Sequence, residues 1–259
     1  MGGGVKPLAI DLFAGLGGWT DGLLSAGWRV IGFDIERHEY GEHRYPAQLV
    51  LQDVLTIDGA QFRDADLIVA SPPCQEYSYM AMPWSRAKQI ARALRGEDEF
   101  PDGYRGSRTV AELTALFDAC FRIQREASAA AGRHIPMVVE NVRGAQAWVG
   151  KAPYRYGSFY LWGDVPALIP AAVNAVKVPS SSGRRTDPCN GTRFTSRDCG
   201  IEKGVKGFTP NGGPLGKNEL GRRHGSKSKA RKAASAMIAK IPPDLAAHIA
   251  NVFRPVARP

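Results

Sequence analysis

Short apolar runs that alternate with helix-like stretches constrain this chain more than any other feature. Residues 8–13, 28–33, 67–70 and 137–139 read LAIDLF, WRVIGF, LIVA and MVV. Each run is too short for a helix and stops at a glycine turn, an acid or a proline, as buried strands do. After the first run, a helix-like stretch extends to Ser25 and Ala26, with Gly27 as its stop. Thr109 to Glu112 has the form of a capping box. It predicts a helix with Val110, Leu113, Leu116, Phe117, Cys120 and Phe121 on one face, ended by Gly132. Repeated strand–helix–strand units imply an α/β fold, a parallel sheet with helices on both faces. Such sheets bind ligands outside the carboxyl ends of their strands. Gly15, Asp34, Asp53, Cys74 and Glu140 all fall at that edge.

The pattern changes after residue 179. Residues 179–225 are rich in Gly, Ser, Arg and Lys and predict a small, loop-rich lobe. Helix character returns at 229–240 and, past Ile241, Pro242 and Pro243, at 244–253. The formal net charge is +9, and residues 177–232 carry a net of +10 against −1 for the rest. A balanced body with one basic region is the electrostatic footprint of a phosphate-backbone binder, although a solvated basic loop reads the same way.

Other classes are excluded or disfavoured. No apolar run approaches the ~18 residues of a membrane span, and the start, MGGG, has no features of a signal peptide. The expectation is a cytoplasmic protein with no membrane partner. Four cysteines, at 74, 120, 189 and 199, form no CxxC pair and suit a reducing compartment. Cys189, Cys199 and His224 are too loosely spaced to predict a metal, so none is expected.

Two constellations carry chemistry. The first is the glycine turn around Gly15, Gly17 and Gly18, which follows a strand and precedes a helix. Glycines there let a ligand approach the backbone. Asp34, 19 residues after Gly15, is placed to accept hydrogen bonds from a ribose. Asp53 would suit an adenine amino group. A nicotinamide nucleotide or a ligand-free turn fits the same glycines, but Thr20 stands where the third glycine of GxGxxG would be. The second constellation is a thiol and a carboxyl. Ser71-Pro72-Pro73-Cys74-Gln75 follows a buried strand. A lone cysteine is most often core. Here two prolines stiffen the backbone before it and polar residues follow, which suits a nucleophile. Cys120, on the apolar face of a helix, reads as structural. Glu140 and Asn141 end an apolar strand, where a Glu needs a partner or a task. It could donate a proton to a ring nitrogen, or the pair could cap a helix.

Taken together, these residues resemble the DNA cytosine-5 methyltransferases. The segments are DLFAGLGG at 11–18, FDIE at 33–36, QDV at 52–54, PPCQ at 72–75 and VENV at 139–142, with a later match at AKIPPDLA, 239–246. The resemblance implies a Rossmann-like S-adenosylmethionine-dependent methyltransferase sheet at residues 1–163 and 229–259. It leaves residues 164–228 as a small basic DNA-recognition lobe. It implies that Phe13, Gly15, Leu16, Gly17, Asp34, Ile35, Asp53 and Val54 hold S-adenosylmethionine, with Pro72 beside the methyl group. Cys74 would attack carbon 6 of a cytosine flipped out of double-stranded DNA. Glu140 would protonate nitrogen 3, and Asn141 would orient the Pro-Cys loop. Gln75, Ser78, Arg184, Arg185, Arg193, Arg222, Arg223 and Lys227 would contact DNA.

There are three departures. An arginine-rich stretch of the family is absent, which leaves Arg155 as the candidate to face the target base. The recognition lobe is short, as in compact phage-like members; a monomer is expected, and pairing with a restriction enzyme is left open. Lys240 stands where the family has asparagine near the donor's methionine end. A cation beside a sulfonium is unfavourable, so either Lys240 faces solvent or an anion intervenes. A carboxylated donor, giving carboxymethyl transfer, is one such anion. The rival readings are an RNA cytosine-5 methyltransferase and a catalytically silent DNA-binding protein. A nicotinamide-dependent reductase is a more distant rival.

Overall fold

The computed structural model describes residues 5–75, 77–78, 84–99, 109–166, 236 and 239–255. The arginines and Lys227 expected in a basic lobe, and most of the helix expected at 229–240, lie outside the described residues.

A seven-stranded sheet has the order β5-β2-β1-β6-β7-β9-β8. Its strands are β1 (Leu8–Leu12), β2 (Arg29–Asp34), β5 (Gln48–Leu51), β6 (Leu67–Ala70), β7 (Met137–Asn141), β8 (Tyr154–Tyr156) and β9 (Phe159–Gly163). A small hairpin, β3 (Glu39–Tyr40) with β4 (His43–Arg44), stands apart. The four apolar runs of the sequence are β1, β2, β6 and β7, shifted by no more than one or two residues at their ends. β5, β2, β1, β6 and β7 are all parallel. β9 runs antiparallel to β7, and β8 antiparallel to β9. This antiparallel edge has no counterpart in the sequence pattern, because a short hairpin with Gly157 at its turn leaves little periodicity.

Helices cover both faces, as expected. α1 (Gly18–Ser25) and the C-terminal helix, α5 (Pro243–Val252), lie on one face. Their Trp19, Leu23, Leu245, Ala246 and Ile249 pack against Ala9, Val30, Leu67, Val69 and Val138. α3 (Val110–Ala131) covers the other, with Phe117, Cys120, Ile123 and Ala127 against Ile10, Leu12, Ile68, Met137 and Val139. The capping box at Thr109 and Glu112 forms as expected, and Gly132 ends the helix with φ 64°. Two further helices, α2 (Trp84–Leu94) and α4 (Gln146–Val149), meet where Ala87 and Ile90 pack on Trp148.

α3 also braces the loop beyond β5. Glu126 accepts from the Gly59 amide at 2.7 Å, while Arg122 donates to the carbonyls of Ile57 and Val54. The Gly59 amide and Arg122 together hold the Glu126 carboxyl below its ordinary range.

Candidate active site

The loop between β1 and α1 is built on left-handed backbone. Phe13 has φ 59°, unusual for a residue with a Cβ, and Gly15 and Gly17 have φ 51° and 75°. The three glycines differ in what they make room for. A Cβ on Gly17 would collide with the Pro46 ring, and one on Gly18 with the Ile241 amide. The space where these two would carry a Cβ is therefore taken by neighbouring segments of the protein. A Cβ on Gly15 would meet no atom nearer than 3.9 Å, so Gly15 is the glycine with an open side.

Asp34 ties this loop to the end of β2. Its Oδ2 accepts from the Gly15 amide at 2.9 Å, and its Oδ1 accepts from the Glu36 amide at 3.3 Å and faces His38 Nε2 at 3.6 Å. Burial raises the pKa of this carboxyl, but the bonds from His38, Gly15 and Glu36 outweigh it and hold the group below the ordinary range. Ile35, the next residue, and Leu51, paired with Asp34 in register, expose 72% and 54% of their surface. Exposed aliphatic side chains next to a buried carboxylate suit an apolar ring bearing a ribose.

The other donor-side residues divide. Asp53 caps a short 3-10 turn, its Oδ1 accepting from the Leu55 amide at 2.9 Å. Leu16 and Val54 bury their side chains, at 6% and 3% exposure, so only their main chain is available to a ligand. Lys240 lies against the start of α1, its Cγ 3.0 Å from where a Gly18 Cβ would be. Its ammonium sits 2.6 Å from Asp21 Oδ2. The anion that answers Lys240 is thus a side chain of the protein, and the motive for a carboxylated donor falls away.

The thiol lies where β6 hands over to a loop. Parallel pairing of Ala70 with Val139 brings the ends of β6 and β7 together, so Cys74 and Glu140 leave the same edge of the sheet. Asn141 Nδ2 donates to the Pro72 carbonyl at 3.0 Å. The Cys74 carbonyl accepts from the amides of Tyr77 and Ser78 at 3.1 and 2.9 Å, folding the chain back on itself. Tyr77 is buried, and its hydroxyl donates to the Leu113 carbonyl at 2.8 Å. Its own carbonyl sits where a Cβ on Gly144 would be, so only glycine fits there. Trp19 Nε1 donates to Ser71 Oγ at 3.0 Å. Trp19, Ser71, Tyr77 and Gly144 do not stand out in the sequence, because their roles depend on partners 36 to 67 residues away.

Cys74 is half-buried, as are Gln75 and Ser78 beside it, whereas Cys120 is fully buried and bonded to the Leu116 carbonyl. Burial pushes the Cys120 thiol up, away from the thiolate, in keeping with a structural role. Glu140 is 3% exposed within β7. The capping alternative for Glu140 and Asn141 is not what forms. Val142 is the N-cap of the following 3-10 turn, and no side chain caps it. Arg155 pairs in register with Tyr160, which pairs with Asn141, while Tyr154 shares the row of Leu161 and Glu140. Successive strand residues alternate faces, so Arg155 lies on the face of Asn141. Among the described residues no His, Cys, Asp or Glu cluster could hold a metal ion, and no helix is long and apolar enough to cross a membrane.

No curated protein matches the chain. Several solved structures are similar in part. One is a DNA modification methyltransferase encoded within an E. coli prophage, at 20% identity over 54% of this chain and 33% of that one, with a TM-score of 0.31. Another is the S. pombe Dnmt2 methyltransferase, at 16% identity over 55% and 36%, with a TM-score of 0.31. The Entamoeba histolytica methyltransferase EhMeth aligns over 96% of this chain and 98% of its own, at 13% identity and a TM-score of 0.40. The chain spans about a third of the length of the first two. Residues 8–86 match the model of the C-5 cytosine-specific DNA methylases. That segment carries Phe13, Gly15, Asp34, Asp53 and Cys74.

Proposed function

We propose that the protein transfers a methyl group from S-adenosylmethionine to carbon 5 of cytosine in DNA. The observation that carries this reading is the meeting of three parts at one sheet edge. These are the Cys74 loop, the Glu140–Asn141 strand end that holds it through Pro72, and the Gly15–Asp34 loop. The donor fits the residues present. Asp34 is an ionised acceptor for ribose hydroxyls, the open side of Gly15 admits the chain, and exposed Ile35 and Leu51 next to Asp34 offer apolar contact for adenine. When bound, it supplies an electrophilic methyl group.

The chain's own residues do the rest. The Cys74 thiolate adds to carbon 6 of the ring while the Glu140 carboxyl gives its proton to nitrogen 3. Electron density moves to carbon 5, which becomes nucleophilic toward the methyl group. Loss of the carbon-5 proton to a base re-forms the ring double bond and expels Cys74 as thiolate, and nitrogen 3 returns its proton to Glu140. Both ring faces must be reached, so the base leaves the stack. Phosphate contacts fall to the lobe bearing Arg184, Arg185, Arg193, Arg222, Arg223 and Lys227, and contacts near the base to Gln75, Ser78 and Arg155.

The test is a covalent trap. Wild-type protein, S-adenosylmethionine and a duplex containing 5-fluorocytosine should give a denaturant-resistant adduct, and the Cys74→Ser variant should give none. Matched RNA runs in parallel. An adduct with RNA alone would move the substrate to RNA. No adduct and no donor binding would leave a DNA-binding module.

A further inference from the structure

Trp19 is 2% exposed, and a buried indole N–H needs an acceptor. Its acceptor, Ser71 Oγ at 3.0 Å, is 52 residues away, just past the strand that leads to the thiol. The Ser71 amide in turn donates to the Leu12 carbonyl at 3.2 Å. Leu12 directly precedes the donor-side loop, and Trp19 directly follows Gly17 and Gly18 at its far end. Ser71 is thus held by both ends of the loop that contains Gly15.

The backbone between Ser71 and Cys74 is stiff. Pro72 and Pro73 each fix φ, and a residue before a proline is confined to extended backbone. That confinement applies to Ser71 and to Pro72. A displacement of Ser71 is therefore passed on to Cys74, with little freedom to absorb it between them. Asn141 grips the same link from the other side at the Pro72 carbonyl.

We propose that Trp19 and Ser71 are positioning residues that set the Cys74 loop against the donor loop. This inference rests on the methyl-transfer reading and deepens it. The hydrogen bond should matter most for the step that needs thiol, base and donor together. It should matter little for the step that needs only thiol and carboxyl, since Asn141 holds those two independently.

Two readouts separate the steps. Release of tritium from 5-tritiated cytosine in duplex DNA, measured without donor, reports reversible addition of Cys74 and exchange at carbon 5. Methyl incorporation reports the full reaction. Ser71→Ala should lower the kcat of methyl incorporation about tenfold, a loss expected for a small misplacement of reacting groups. Donor-free exchange and the donor KM should change by no more than about threefold. Ser71→Thr, which keeps the hydroxyl, should recover most of the loss. Trp19→Phe should match Ser71→Ala, and the double variant should be no worse than either single one. Equal losses in exchange and incorporation, additive losses in the double variant, or no loss in either would overturn the proposal. A wild-type protein active in neither readout would instead overturn the functional reading, and this inference with it.

Discussion

Asn141 donates from Nδ2 to the carbonyl of Pro72 at 3.0 Å and accepts at Oδ1 from the Val142 amide at 2.8 Å. One side chain therefore joins the end of β7 to the loop two residues before Cys74. Asn141→Ala would leave a buried carbonyl unpaired, at a cost of about 1–3 kcal/mol. We expect a melting temperature several degrees lower, by calorimetry, and a kcat lower by about ten- to a hundredfold. The donor dissociation constant, by titration calorimetry, should stay within about threefold.

Glu140 is the acid for nitrogen 3 in the proposed reaction, and it is almost wholly buried. Glu140→Gln keeps the shape and removes the transferable proton. The expected result is a fall of about 10²–10⁴ in both methyl incorporation and donor-free tritium exchange. A retained exchange rate would reassign the acid.

Lys240 and Asp21 pair at 2.6 Å with 30% and 40% of their side chains exposed. Pairs this open contribute at most about 1 kcal/mol. Lys240→Asn should shift unfolding by no more than that, and product analysis by mass spectrometry should show methyl from wild type and variant alike. A carboxymethyl product from wild type alone would restore a role for Lys240 in donor choice.

Beneath the donor loop, Asp11 is 1% exposed and accepts from Thr20 Oγ1 at 2.6 Å and from Tyr45 at 3.4 Å. Burial pushes its carboxyl up to about 7, against the opposing pull of Thr20 and Tyr45. A carboxyl raised in the folded state favours folding while protonated. Its contribution is complete below the ordinary value of 3.8 and is lost as pH rises toward 7. Asp11→Asn removes this titration. Relative to the variant, wild type should lose up to about 1.4 kcal/mol per pH unit across that window, read from urea unfolding at pH 4.5, 6 and 7.5. Parallel curves would place the Asp11 titration elsewhere.

Gly144 leaves no space for a Cβ against the Tyr77 carbonyl. Gly144→Ala should therefore push the thiol loop out of place. The expected outcome is at least a tenfold loss of adduct formation, with the donor dissociation constant unchanged within about threefold.

Much of this was legible in the chain alone. Buried parallel strands are short continuous apolar runs, so β1, β2, β6 and β7 showed in sequence, and so did the capping box of α3. Such sheets bind ligands outside their strand ends, which marked Asp34, Cys74 and Glu140 as candidates. The β8–β9 edge was not legible, because three- and five-residue strands in a hairpin carry too little periodicity. Nor was the different work of Gly17 and Gly18, which make room for Pro46 and Ile241.

Local pattern in the sequence set where the strands fall along the chain and marked candidate residues at their carboxyl ends. These follow from local pattern, which each segment carries alone. Only the tertiary structure decided which groups face each other: Trp19 with Ser71, Asn141 with Pro72, Tyr77 with Gly144, Lys240 with Asp21. The physical reason is that hydrogen bonds and steric fit act over a few ångströms in space. The partners here lie 52, 69, 67 and 219 residues apart in the chain, and no local pattern marks that closeness.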